Sequence, residues 1–311
     1  MRRIHVFVVV AAVMLLVLVA PPAGAAFPGS NGRLAYWDFV GEPPQIFTID
    51  PDGTSRARLT DTTNAINEDP AWSPDGARIA FARFVVSSGA SSLRLMDADG
   101  SNVSVVLTVD DLPSGFVFIS EPAWAPDGTM LTFCAFRNTS FENKVFTVGT
   151  NGMGLTKLSG PDDDECSPAW SPDGATIAVE SIDADLRGDI VLLAADGSTR
   201  TPIVTAGDTR DPNWDPTGAQ LAFTSRINKR TDVYTTNADG SGLMQVTDTG
   251  KRWEFAPAWA PDGSRIAFSR TVGTNSLTIQ DLWTIAPDGS DPDRVTNTKG
   301  MDELAPDWQP V

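Results

Sequence analysis

Beyond its first 25 residues this chain contains no histidine; the only one is His5. That absence excludes Ser-His-Asp and Cys-His nucleophilic machinery, and every His-ligated zinc or iron site. No G-x-S-x-G elbow occurs either. Long apolar runs are equally scarce. The one from Val6 to Ala20 is 15 residues long, short of the roughly 20 that cross a bilayer as a helix. Cysteine is limited to Cys134 and Cys166.

The apolar run follows Arg2-Arg3, ends at Pro21-Pro22 and is succeeded by the small residues Ala23-Gly24-Ala25. This is the order of a secretory signal peptide, so residues 1–25 are expected to be cleaved and residues 26–311 to form the exported protein. No membrane span is expected after cleavage. Loss of Arg2 and Arg3 takes the 23 basic residues to 21 against 40 acidic ones, a net charge of -19. Such a chain repels nucleic acid and anionic lipid at long range. No nucleic-acid partner is expected; cationic partners or metal ions suit it better, and solubility alone also accounts for the charge. An even cysteine pair in an exported chain points to a Cys134–Cys166 disulfide. Two free buried thiols are the alternative.

What the chain has in abundance is repetition. Pro-Ala-Trp occurs at Pro70–Trp72, Pro122–Trp124, Pro168–Trp170 and Pro257–Trp259, with variants at Pro212-Asn213-Trp214 and Pro306-Asp307-Trp308. The six tryptophans stand 52, 46, 44, 45 and 49 residues apart, a period that marks a propeller or solenoid. Within a unit, Ala71 and Trp72 lie on a first strand, a. Ser73-Pro74-Asp75-Gly76 is a turn, with proline preset for its second position and glycine for its left-handed fourth. Ile79, Ala80 and Phe81 follow on strand b. Leu93–Met96 make strand c, Asp97-Ala98-Asp99-Gly100 a second turn, and strand d ends at Leu107-Thr108. Successive strand residues point to opposite faces, so Ala71 should meet one neighbouring blade and Trp72 the other. The repeat tryptophans therefore read as core.

Six b–c–d segments start near Gly32, Gly76, Gly128, Gly174, Gly218 and Gly263, and six a-strands carry the tryptophans. The first segment lacks a preceding a-strand and the last a-strand, Ala305–Pro310, lacks a following segment. Joining them yields an all-β fold, a six-bladed propeller of four-stranded antiparallel blades. The C-terminal strand closes the N-terminal blade and hides both free edges.

The string S-P-D-G after P-A-W, the following I-A-F, and the D-A-D-G turn before a terminal L-T resemble the repeat of the TolB propeller family. That repeat also occurs in the tricorn protease and beside the catalytic domains of prolyl oligopeptidase-like enzymes. The resemblance covers roughly residues 30 to 310. TolB carries a small α/β domain before its propeller and joins an envelope complex with a peptidoglycan-associated lipoprotein. Here Ala26–Ser30 alone separate the expected cleavage site from the first strand, so neither that domain nor a peptidase domain is expected. The resemblance implies an exported, monomeric propeller of the periplasm or cell envelope that binds a protein, a peptide or a wall polymer.

A site is expected on one face. The a–b and c–d turns are short and uniform, whereas the d–a connections and b–c loops vary, and binding residues concentrate on loops held by a rigid scaffold. Val109–Glu121, with Phe116–Ile119, reads as a long apolar connection and Phe84–Ser92 as a b–c loop. Arg226, Lys229, Arg230, Lys251, Arg252 and Trp253 form a basic island suited to an acidic partner, or a solvated rim. Glu165, Glu254 and Glu303 each precede a repeat proline by three residues, Glu68, Asp69, Glu121 and Asp211 precede one by one or two, and Asp162, Asp163 and Asp164 add charge to one entry, so these carboxylates are expected to circle the axial channel. Glu165, Glu254 and Glu303 are expected at the channel mouth, where calcium is the cation oxygen ligands favour; no EF-hand pattern accompanies them, and no other cofactor is indicated. Two further functions stay open. One is a channel-mouth hydrolase or lyase acting on polysaccharide through carboxylates or a metal, for which no catalytic residue is nominated. The other is a lectin-like sugar binder using Trp253 and Phe116–Phe118.

Overall fold

A computed structural model describes residues 27–39, 43–205, 207–227, 230–272, 279–298 and 302–311. The expected signal peptide and Lys229 lie outside the described residues. The described chain forms six four-stranded antiparallel sheets. The closing blade is assembled from both ends of the sequence: Glu303–Pro310 is its strand a, followed by Asn31–Asp38, Gln45–Ile49 and Ala57–Arg58. Leu34 pairs with Trp308 and Trp37 with Leu304 across the seam. The second blade comprises Ala65–Trp72, Arg78–Val85, Ala90–Asp97 and Ser104–Thr108. Four blades of the same order follow, and the sixth contains Glu254–Trp259, Ile266–Thr271, Gln280–Ile285 and Asp293–Arg294.

The repeated motifs have distinct physical tasks. In the Pro-Ala-Trp of the second, fourth and sixth blades the alanine and the indole pack in different clusters. Ala71 packs in the cluster that contains Trp124 of the next blade, and Trp72 in the cluster of Ala35, Trp37 and Ile46 of the closing blade. The Trp124 indole N–H also donates to the Ala71 carbonyl at 3.0 Å, and Trp214 repeats the bond to Ala169 at 3.2 Å. In the a–b turns the aspartate folds back on the chain: Asp75, Asp127 and Asp173 each accept from the backbone N–H two residues on, at 3.1, 2.9 and 3.0 Å. Gly76 has φ 64°, and a Cβ there would sit 2.1 Å from the Pro310 carbonyl oxygen, so this turn tolerates only glycine.

The hydrophobic-Thr ending of strand d extends a very short ladder. Several d strands are only two residues long, and the hydroxyl then continues the pairing. Thr60, Thr247 and Thr296 accept from the backbone N–H of Ile46, Val233 and Leu282 on strand c at 2.9, 2.9 and 2.8 Å, and Ser159 does so for Val145 at 2.8 Å.

Two expected loops are strands. Phe116–Trp124 is one continuous strand a, preceded by a single 3-10 turn at Val109–Asp111. Phe116 and Ile119 are buried, and Phe118 packs on Phe84 with ring centroids 5.5 Å apart. Similarly, strand b of the second blade runs to Val85 and strand c begins at Ala90, leaving a short turn between them. In both places apolar residues extend the blade because a neighbouring blade is there to cover them.

Candidate functional site

Every strand a contains the same irregularity. The residue before the repeat proline adopts a left-handed conformation: Asp69, Glu121, Ser167, Asp211, Ala256 and Ala305 have φ between 48° and 57°. The ladder to strand b shifts register there in each blade. This is a β-bulge, which kinks the strand and re-aims its side chains. Where the bulge residue is acidic, it reaches the next blade. Asp69 Oδ2 accepts from the Glu121 N–H at 3.0 Å, Glu121 Oε2 from the Ser167 N–H at 2.8 Å, and Asp211 Oδ2 from the Ala256 N–H at 3.2 Å. Because these bonds link innermost strands of successive blades, these three carboxylates lie along the propeller axis.

Burial holds the axial carboxylates above their usual titration range. Asp69 is raised by burial and then by the Glu68 charge, and Glu121 by burial and then by Asp69. Burial, then Glu121, pushes Glu68 up to about 8. Burial also lifts Glu180 to about 8, with Arg210 opposing the shift, and Asp211 to about 6. Arg210 is the cation here, 3.2 Å from Glu180 and 3.0 Å from Asp208.

Glu165, Glu254 and Glu303 do not mark the channel mouth. All three are fully buried and occupy separate blades. Glu165 pairs with Arg200 of its own outermost strand. Glu254 accepts from Arg270 Nε at 2.8 Å and from the Thr249 hydroxyl at 3.0 Å, and Glu303 accepts from the Thr296 and Thr298 hydroxyls. Burial raises all three, Glu254 and Glu303 to about 7. Calcium needs several oxygens in one place, and among the described residues these three belong to no common donor group. The bulge accounts for the difference. One inserted residue reverses which face the flanking side chains occupy, so the acid at the bulge turns to the axis and the acid two residues earlier turns into its blade.

The structure joins Cys134 and Cys166 in a disulfide between the third and fourth blades, with Cα atoms 5.2 Å apart, inside the range a bridge requires. Cys134 lies in the middle of strand b, Met130–Arg137, and both sulfurs are buried, so the bridge is an internal staple and does not sit at the rim. Glu121 Oε2 lies 2.9 Å from Cys166 Sγ. The three residues bring ligand atoms within 4.8 Å of one another, but oxidised sulfur offers no thiolate, and the disulfide forecloses a metal centre there.

The basic island is brought together only in part. The guanidinium of Arg226 lies 4.6 Å and that of Arg230 5.4 Å from the Trp253 ring. Trp253 is half-buried, its backbone N–H donating to the Thr271 hydroxyl at 3.0 Å. Arg226 is exposed and 3.6 Å from Asp208. Arg252 interacts electrostatically with Arg270 and Asp281, and Lys251 is exposed beside it. The compact unit is therefore one indole flanked by two guanidiniums, an arrangement held by cation–π attraction. Trp37 is buried in the core, and Trp283 packs half-buried against the sixth-blade cluster.

Comparison with known proteins agrees with this architecture. The TolB beta propeller domain family matches residues 82–282, well over half of the chain. A TolB homologue of Chlorobium luteolum is 28% identical over 199 residues, covering 64% of this chain and 43% of that protein. An uncharacterized protein of Agrobacterium fabrum is 27% identical over 216 residues, covering 66% of this chain and 70% of its own length. The crystal structure of TolB from Acinetobacter baumannii superposes with a TM-score of 0.74 at 18% identity, covering 92% of this chain and 68% of that one. At that identity the likeness concerns the fold alone. The chain spans less than half the length of the Chlorobium relative it matches.

Proposed function

This chain belongs to the TolB beta-propeller family, and on that premise we propose that it is an exported, non-catalytic binding propeller of the periplasm or cell envelope. Residues 1–25 act as its signal peptide, and the buried Cys134–Cys166 disulfide suits the oxidising compartment beyond the membrane. Among the described residues no helix is long and apolar enough to cross a membrane. The partner is a protein, a peptide or a wall polymer carrying acidic groups. It docks on the variable loop face at Arg226, Trp253 and Arg230.

One observation carries this reading: two guanidiniums stacked on a single half-buried indole on an exported chain of net charge -19. Tryptophan and arginine dominate the energetic centres of interfaces, and a positive patch on an acidic body selects an acidic partner. The turn face, by contrast, is built from aspartates already bonded to their own backbone. Affinity capture from an envelope extract with residues 26–311 tests the proposal. Retention of an acidic partner that salt releases supports it. Turnover of an oligosaccharide by the same preparation would instead favour the channel-mouth enzyme.

A further inference from the structure

We infer that Arg83 and Arg94 form an oxyanion-binding cleft between the closing blade and the second blade, separate from the proposed docking patch and independent of it. The repeat supplies an internal comparison. In the sixth blade Glu254 stands opposite Arg270, Arg270 opposite Asp281, and Phe268 opposite Trp283. There the guanidinium is fully served: Arg270 Nε donates to Glu254 at 2.8 Å, and the group lies 4.8 Å from the Phe268 ring and 4.6 Å from that of Trp283. The second blade has the same register with different chemistry. Asn67 stands opposite Arg83, Arg83 opposite Ser92, and Phe81 opposite Arg94. Both carboxylates have become neutral, and the indole has become a second guanidinium.

The outcome is two neighbouring cations for which the described residues supply no counter-charge. Arg83 Nε donates to Asn67 Oδ1 at 2.6 Å and Arg94 Nε to the Ser92 hydroxyl at 3.0 Å. Among the described residues neither forms an ion pair, and none of their terminal nitrogens is hydrogen-bonded. The acids nearby in sequence are committed elsewhere. Asp61 pairs with Arg58 at 2.9 Å. Glu68 stands opposite Ala82 on the other strand face and interacts with Asp69 and Glu121. Elsewhere in the ring Arg56, Arg200, Arg210, Arg270 and Arg294 each meet a carboxylate that is itself buried. Burial and the Arg94 charge lower Arg83 to about 10, which is the cost of leaving the pair uncompensated.

Both side chains are half-buried, and Asn67 is the third residue of its strand as the chain arrives from the variable face. A ligand can therefore reach them. With each Nε fixed on a neutral acceptor, the free edges of two planar forks match a carboxylate or phosphate group, which accepts several parallel N–H bonds.

Thermal melts and calorimetry of residues 26–311 test this, with inorganic phosphate and succinate as probes against chloride at equal ionic strength. Phosphate, succinate or both should raise the wild-type Tm by a few degrees, as expected for a ligand that binds only the folded state. A rise with one probe alone assigns the site to that group. Arg94→Gln should weaken binding about tenfold or more, as loss of a charge-assisted pair does. Asn67→Glu, which recreates the Glu254–Arg270 pair but gives up the Asn67 amide bonds to Gln45 and Thr62, should abolish the anion-dependent rise in protein that circular dichroism shows to be folded. No rise in the wild type beyond that in chloride, or an equal rise in Asn67→Glu, would overturn the inference.

Discussion

Asp307 Oδ2 accepts a hydrogen bond from the backbone N–H of Trp72 at 2.6 Å, tying the C-terminal strand to the second blade across 235 positions of sequence. The same relationship recurs between the fifth and sixth blades, where Asn213 accepts from the Trp259 N–H at 2.8 Å. Asparagine makes the contact without charge. Asp307 is buried, and burial lifts it to about 7 against two backbone hydrogen bonds that lower it. A carboxyl raised by folding binds more protons in the native than in the unfolded state, so its contribution falls as pH rises from about 4 to about 7. Asp307→Asn should therefore raise the Tm at pH 8 and leave it nearly unchanged at pH 4, a difference of about 2–4 kcal/mol in unfolding free energy. Denaturant melts of both proteins at the two pH values check this.

Removing residues 303–311 should abolish cooperative unfolding. The strand pairs with Asn31–Asp38 and buries Leu304, Ala305 and Trp308. Losing a buried indole alone costs about 3–5 kcal/mol, much of a typical domain's stability, and the ring gains an unpaired edge. Circular dichroism melts should show a broad, early transition. A sharp transition at the original temperature would refute closure through this strand.

The disulfide should contribute about 3–4 kcal/mol, the chain-entropy value for a loop of this length, since the two cysteines are 32 residues apart. Thiol titration of the denatured, unreduced protein should find no free sulfhydryl, and Cys134→Ala with Cys166→Ala should lower the Tm by several degrees. Two free thiols would remove the staple.

The blade count, closure and cysteine pairing were legible in the sequence because they rest on local turn chemistry and on tryptophan spacing. The axial carboxylates were legible only as a mixed set, in which the acids that face the axis could not be told from those that turn inward. Alternation along Glu165-Cys166-Ser167 or Glu254-Phe255-Ala256 carries no mark of a bulge, and one inserted residue exchanges the faces. Of the acids expected around the axis, Asp69, Glu121 and Asp211 hold it, whereas Glu165, Glu254 and Glu303 turn into their blades. Phe116–Ile119 read as a loop because apolar residues beyond the repeat motif have no local signal that a neighbour covers them. The Arg83 cleft did leave a trace: Asn67 stands in the repeat where Glu165, Glu254 and Glu303 stand.

The docking face is tested most directly by the affinity of the captured partner for three folded proteins: wild type, Arg226→Glu with Arg230→Glu, and the turn-face pair Asp75→Asn with Asp127→Asn. Arg226 is exposed and Arg230 partly so, and surface charges contribute little to stability, so the reversal should leave the fold intact. The expected result is that wild type and the turn-face variant bind equally and the reversal loses at least about tenfold, as truncation of an interface centre does. Equal binding by all three, or loss confined to the turn-face variant, would contradict the proposed function.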